Sequence, residues 1–437
     1  MGLPVKITPA KAAALLIGLP LISLAAPDNF FDGPGQTPSS HQVQIPKARS
    51  KPIIEDPRLW ITIPLPNNKE ARSAIVNLGI AIEDVGGGNV GGVGTPRMAE
   101  ELRQRGYSFT AMPLRERFAL DFPAEDSIYH NYERLDKALE SLASSAPDFV
   151  SKFPIGQSHE KKNIWALRLN TTAAHGQKSE KPGIVFMGTH HAREHLSTEV
   201  PLLLAQYLVE NKQKPNIAKL LNTRDIYIIP MVNPDGVEWD IRDGSYHMHR
   251  KNKRANGRGS IGVDLNRNYG HEWGQGGSSP DPDSDIYRGP EAFSEPETQA
   301  IKNFIEQRKD NIKILLSFHA FSELILYPWG HSYDPIADSK ALGAYEAMAK
   351  NMAGMNGYTD QQSSELYIAS GDTTDWAWGA HNIFSFTFEL TPKNFWDGGF
   401  YPGAAAVQTA FHANIRPALY LIDIADNPYR AKAHGGI

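Results

Sequence analysis

Between residues 149 and 390 the chain repeats one alternation: a short apolar run, then a longer stretch whose apolar residues recur at helical spacing. The runs cover 149–154, 164–169, 184–187, 226–230, 313–319 and 385–390. Helical stretches at 197–210, 295–307, 337–355 and 404–425 lie among them, and a helix at 131–146, with Leu135, Leu139 and Leu142, leads in. Continuously apolar strands are buried on both faces. Separated by helices, they predict an α/β fold: a mixed, mostly parallel twisted sheet with helices on both faces. Ligands of such sheets bind outside the carboxyl ends of the strands, so the chemistry belongs just after each run.

The run at 184–187 empties into Thr189-His190-His191-Ala192-Arg193-Glu194-His195. His191 and Glu194 stand three apart, and if the chain turns helical there, both side chains face one ion. A His-x-x-Glu pair alone is as readily a solvated helix face, and spacing does not remove His190 or His195 as competitors. His319, at the end of 313–318, supplies a third donor from its own strand. With no cysteine in the 437 residues, a metal here is held by His, Asp or Glu. Two imidazoles, a carboxylate and an open position suit a catalytic Zn²⁺. Glu389, flanked by Phe386, Phe388 and Leu390, is a carboxylate among apolar neighbours. Unpaired burial is costly, so it is either salt-bridged or a general base toward a water at the metal.

Two cationic segments follow. One is 246–251 around Arg250, after the turn Asn233-Pro-Asp-Gly; the other is 262–268, with Asn266 and Arg267 adjacent. A guanidinium pairs bidentately with a carboxylate, so Asn266 with Arg267 suits a substrate carboxylate, against the plainer reading of a solvated charged face. Tyr367 lies in a polar, Gly-containing stretch, 366–376, that reads as a mobile loop.

The N-terminal part is organised differently. Lys6 and Lys11 precede an apolar run ending in small residues, so 1–26 reads as a signal peptide and the chain as secreted, to the medium or the periplasm. Residues 27–56, rich in Pro, Ser and Gly, read as a disordered linker. In 57–113 the pattern is β-α-β-α-β, with one strand at 81–90, which predicts a small α+β unit. A connector at 114–120 carries Arg115 and Arg117, a large domain spans 121–425, and 426–437 is a tail. A net charge of −5 gives no reason to expect nucleic acid as a partner.

Taken together, the ordered segments His191-Ala-Arg-Glu194, Asn233-Pro-Asp-Gly, Arg250, Asp264-Leu-Asn-Arg-Asn, Ser317-Phe-His319, Tyr367-Ile-Ala-Ser-Gly and Phe386-Thr-Phe-Glu389 resemble the zinc metallocarboxypeptidases of the carboxypeptidase A and B type. The phrases at 190–195 and 324–328 look like the bacterial, carboxypeptidase T-like branch. The resemblance implies His191, Glu194 and His319 as zinc ligands, with His190 and His195 set aside, and Asp264 orienting His191. It implies Glu389 as the base, Arg250 on the oxyanion, and Asn266 with Arg267 on the C-terminal carboxylate of a peptide or protein. Tyr367 would close over that carboxylate, and Arg193 would assist further along the cleft.

The position matching the family's selector of the C-terminal residue is Thr374, and Asp372 stands where the A and B types commonly have Gly. Mixed preference, hydrophobic and basic, is the expectation. The resemblance also makes 57–113 an open-sandwich pro-segment, released by an activating protease between Arg115 and Asp121, from an enzyme expected to be monomeric. Calcium occurs in the bacterial branch, and Asp281, Asp283 and Asp285 offer carboxylates for it, a solvated acidic loop being the competing reading. The rivals in function are a related amidase acting on peptidoglycan stem peptides and a catalytically silent binding module.

Overall fold

A computed structural model describes residues 57–65, 68–114, 124–173, 175–257 and 259–433. The expected signal peptide and linker, and the connector with Arg115, Arg117 and the cut before Asp121, lie outside these residues. The described residues belong to one compact unit, Glu55–Ile437.

The small N-terminal part holds β1 (Leu59–Pro64), α1 (Lys69–Val76), β2 (Ala81–Gly86), β3 (Asn89–Gly94), α2 (Pro96–Gln104) and β4 (Thr110–Pro113), with sheet order β2-β3-β1-β4. The single strand expected at 81–90 is a hairpin. Gly86 pairs with Asn89, and Gly87 and Gly88 take φ of +58° and +77°. Positive φ at both central residues gives the tight turn that matches strand twist, and glycine reaches it without strain. Ile61, Ile63, Ile75, Val76, Met98 and Leu102 form the small core, which Ile286 and Tyr367 of the large domain also enter. Trp60 and Val93 belong instead to the large domain's core.

In the large domain α3 (Tyr132–Ser145), capped by Asn131, leads to β5 (Val150–Gln157), β6 (Asn163–Leu169), β7 (Gly183–Gly188), α4 (Leu196–Glu210), α5 (Pro215–Thr223), β8 (Asp225–Ile229) and α6 (Pro234–Asp240). A short hairpin, β9 (Ala255–Gly257) and β10 (Ser260–Ile261), precedes α7 (Pro296–Glu306), β11 (Ile312–Ala320), β12 (Leu324–Tyr327), α8 (Ser339–Asn356) and β13 (Thr359–Gln362). Then come α9 (Thr373–His381), β14 (Phe384–Leu390) and α10 (Ala405–Ile424). The eight-stranded sheet runs β13-β12-β14-β11-β7-β8-β6-β5. Its centre, β8-β7-β11-β14, is parallel, and antiparallel pairs join β6 and β12 to it.

Alternate residues of the central strands face opposite cores. Ile184, Phe186, Leu316 and Phe318 pack with α4, α8 and α10; Val185, Met187 and Leu315 pack with α7 and α9. This two-sided burial is why the runs read as continuously apolar. At roughly 25 cal/mol per Å² of apolar surface, such burial is the main favourable contribution to folding. Residues 428–433, read as tail, form a 3₁₀ turn with Tyr429 edge-on to Phe384. Among the described residues no helix is long and apolar enough to cross a membrane.

Candidate metal centre and substrate cavity

The parallel core brings the carboxyl ends of β7, β11 and β14 together. His319 and Glu389 are register partners on adjacent strands, one residue inside the strand ends, so their side chains share a face. Beyond β7 the chain turns through Thr189, with φ of +57°, and residues 190–195 cross the sheet top before α4 begins. Asn233 holds that crossing: its Nδ2 donates to His190 O and Lys251 O, each at 3.1 Å, and its Oδ1 caps α6 by accepting from Gly236 N. Ala192 N donates to Arg250 O at 3.0 Å, tying the crossing to the Arg250 segment. The Asn233-Pro-Asp-Gly motif thereby has a positioning part that spacing alone did not disclose.

His191 Nδ1 lies 2.7 Å from Glu194 Oε1, and His319 Nδ1 lies 3.0 Å from Glu194 Oε2 and 3.1 Å from His191 Nδ1. All three residues are buried. On the far side of the ring, His191 Nε2 is 3.1 Å from Asp264 Oδ1. Burial pushes the Asp264 carboxyl up, but the charges of Arg250 and His191 outweigh it and hold it well below the carboxylate range. An ionised carboxylate only accepts, so Asp264 favours the His191 tautomer with its proton on Nε2, the one that offers a lone pair on Nδ1 to a metal. Lone pairs on Nδ1 and on a carboxylate at that distance repel unless a shared cation lies between them. The trio therefore fits a metal ion: two imidazole nitrogens and a carboxylate converge, with a carboxylate fixing the tautomer behind.

His190 and His195 point to other partners. His190 Nε2 meets Tyr269 OH at 2.9 Å, and His195 Nε2 meets Asp240 Oδ2 at 2.8 Å. A second grouping, His159 with Glu295 and Glu297, is closed by Arg254, Asn252 and Ser294, which donate to those carboxylates. Among the described residues Asp281, Asp283 and Asp285 form no group able to hold a metal ion, so calcium gains no support, and the solvated-loop reading fits Asp283 but not Asp285. Asp285 is buried with Arg58 and Arg193, Asp281 pairs with Arg97, and Asp283 is exposed.

In front of the trio opens a cavity of about 360 Å³, lined by Arg250, Asn266, Arg267, Tyr367, Asp372, Thr374 and Glu389, and by Glu83 and Arg72 of the small part. Arg250 Nε donates to Asp264 Oδ2 at 2.9 Å, which aims its guanidinium past Glu194. Burial first, then the charge of Glu194, hold the Glu389 carboxyl well above its ordinary range, with Arg250 opposing. Arg267 is anchored by Nε to Gly277 O (2.9 Å) and by one terminal nitrogen to Asn266 O (2.8 Å). Asn266 turns its Oδ1 to Thr373 N and Oγ1, so its amide N–H groups are directed elsewhere, toward the cavity it lines. Tyr367 is half-buried against the small core.

Two expectations need revision. The stretch read as a mobile loop is in part α9, with Asp372 as its N-cap and Thr374 in its first turn. Arg193 does not reach along an open cleft. It is fully buried, pairs with Glu83 of the small part and lies 4.4 Å from the Phe400 ring. Glu83 escaped sequence reasoning because it lies 110 residues from its partner.

Residues 135–415 match the family described as zinc carboxypeptidase, and the chain belongs to that family. It is therefore a metallocarboxypeptidase, a hydrolase whose family implies zinc. It is 35% identical over 302 residues to a zinc carboxypeptidase of Saccharothrix mutabilis subsp. capreolus, covering 67% of this chain and 69% of that one. With carboxypeptidase B of Astacus astacus it shares 31% over 268 residues, covering 60% of this chain and 86% of that one. The crystal structure of carboxypeptidase A from Helicoverpa armigera superposes with a TM-score of 0.69 at 25% identity, covering 87% of this chain and 99% of that one.

Proposed function

We propose that this is an exported carboxypeptidase, made with a covering pro-segment, that removes hydrophobic and basic residues one at a time from the C-termini of peptides and proteins. The observation that carries it is one cavity with a metal-ready trio at one end and a carboxylate-binding pair, Asn266 with Arg267, at the other. In this reading His191, Glu194 and His319 hold Zn²⁺ and Asp264 orients His191. When bound, zinc supplies Lewis acidity toward a water and the scissile carbonyl. Glu389 takes a proton from the attacking water and returns it to the leaving amine; a carboxyl raised by burial is suited to both steps. Arg250, fixed by Asp264, stabilises the oxyanion. Asn266 and Arg267 hold the free α-carboxylate, with Tyr367 closing over it. A terminal amide lacks the charge they require, which separates this reading from an amidase. Arg193 is assigned to substrate beyond the scissile bond, a place Glu83 occupies while the small part is attached.

Asp372 and Thr374 form the wall that meets the C-terminal side chain. Burial pushes the Asp372 carboxyl up to about 7, with Asp375 adding to it. It is neutral below that pH and anionic above, so preference for terminal Lys or Arg rises as pH rises through about 7. The test is a panel of C-terminal residues on the chain after limited trypsin digestion, with and without chelator, for the unaltered chain and Asp372→Asn. The expected result is chelator-sensitive release of single C-terminal residues, with Asp372→Asn lowering kcat/KM for Arg-terminated peptides and sparing Phe-terminated ones. Equal losses on both would sink the mixed preference. Undigested chain as active as digested chain would sink the pro-segment.

A further inference from the structure

Asp372 commits one oxygen to its own helix: Oδ1 accepts from Thr374 Oγ1 at 2.8 Å and from Asp375 N at 2.7 Å. Its other oxygen stands beside Gly330, where a Cβ would lie 2.7 Å from Asp372 Oδ2 and 3.6 Å from Asp375 Oδ2. Glycine at 330 thus lets two carboxylates approach one Cα. Asp375 is fully buried. It accepts from Gly330 N at 2.9 and 3.0 Å, from His331 N at 2.9 Å and from His331 Nδ1 at 2.7 Å. The His331 side chain is 17% exposed, reaching the surface beside Trp329 and His271. A titratable ring in touch with solvent is therefore joined, through one buried carboxylate, to the wall of the cavity.

Like charges this close in a poorly solvated site disfavour each other's ionised form. A proton on His331 neutralises its pair with Asp375 and relieves Asp372. Loss of that proton returns a second negative charge to the wall. The other charged groups facing the pair are Arg267, which favours the Asp372 anion, and Glu272 and His271, which flank His331. A guanidinium is a fixed positive charge, and Glu272 lies on the His331 side.

Resting on the reading of Asp372 as the wall that meets the C-terminal side chain, we propose that His331, acting through Asp375, determines specificity by setting the charge that Asp372 presents to a basic residue. It is a positioning residue, since it touches Asp375 and not substrate. Burial lowers the His331 pKa, but its hydrogen bond to Asp375 and the charges of Asp375 and Asp372 outweigh this and raise it. Asp372 and His331 thus each favour the other's charged form.

The experiment measures the ratio of kcat/KM for paired Arg- and Phe-terminated peptides against pH, on the zinc-loaded full chain before and after limited trypsin digestion. His331→Gln keeps a hydrogen-bond donor toward Asp375 without its charge. In the unaltered chain the ratio rises through about pH 7. In His331→Gln the rise moves up by about one pH unit, lowering the ratio on the acid side by up to about tenfold. Superimposable ratio profiles would overturn the proposal. An unchanged ratio in Asp372→Asn would instead overturn the reading of the wall, and the proposal with it.

A second readout needs no variant at His331. In a histidine-ring NMR titration of the unaltered chain, free arginine raises the His331 pKa and free phenylalanine does not, because coupling between two sites is reciprocal. Equal shifts, or none, with arginine bound would also overturn the proposal.

Discussion

At one end of the cavity His191, Glu194, His319 and Glu389 come from the tops of three parallel strands. At the other, Asp372, Thr374 and Tyr367 come from a loop and the first turn of α9. The first end is braced from behind: Asp264 holds both His191 and Arg250, and Asn233 ties the 190–195 crossing to the Arg250 segment. The second is held by the cap bonds of Asp372 to Thr374 and Asp375, by bonds from Thr373 to Asn266 and from Gly330 and His331 to Asp375, and by contacts with the small N-terminal part. In the proposed function, chemistry would rest on the sheet, where sub-ångström placement is easiest to maintain, and selectivity on elements that change without disturbing it.

The largest effect separates metal holding from proton transfer within the rigid end. Glu389→Gln should lose roughly 10²–10⁴-fold in kcat while keeping zinc by elemental analysis, whereas His319→Ala should lose the zinc itself. Zinc lost in Glu389→Gln, or retained in His319→Ala, would break the division of labour.

Next is the carboxylate grip. Arg267→Ala should cost about 10–100-fold in kcat/KM on peptides with a free C-terminus and narrow the gap to amidated peptides. A uniform loss on both would reassign Arg267 to structure.

Glu83→Ala tests whether the loose end is guarded from outside. Removing one charge-assisted hydrogen bond should raise the activity of undigested chain about tenfold and leave digested chain unchanged. No rise would show that Glu83 is not what covers the cavity.

The smallest effect is on the brace. Asn233→Ala should cost about 1–2 kcal/mol through the lost cap and loop bonds, read as a Tm lower by roughly 2–8 °C. A fall in kcat with KM unchanged would accompany it; a change confined to KM would place Asn233 at the wrong end.

The rigid end was legible in the sequence because each donor sits next to a strong local signal. The runs at 184–187, 313–319 and 385–390 emerge as β7, β11 and β14, and the resemblance named the members. The loose end was less legible. α9 begins at Thr373, inside a polar stretch whose Gly and Asp suggest a loop, although Asp372 three residues before Asp375 is also a cap signal. β13, Thr-Asp-Gln-Gln, is a half-exposed edge strand with no apolar pattern. β2 and β3 read as one strand over 81–90 because strand-like residues continue on both sides of Gly87 and Gly88, whose positive φ makes the turn. Glu83 with Arg193 and Arg58 with Asp285 join distant residues, and no periodicity announces such pairs.

The small N-terminal part lends Trp60 and Val93 to the large core and receives Ile286 and Tyr367 into its own. Parting the two therefore uncovers apolar surface on both sides, which raises the heat capacity. Added salt screens only the exposed pairs, such as Lys69 with Glu365 and Arg97 with Asp281, and these contribute little. The apolar share weakens on cooling. Temperature, more than ionic strength, should govern how firmly the small part stays in place.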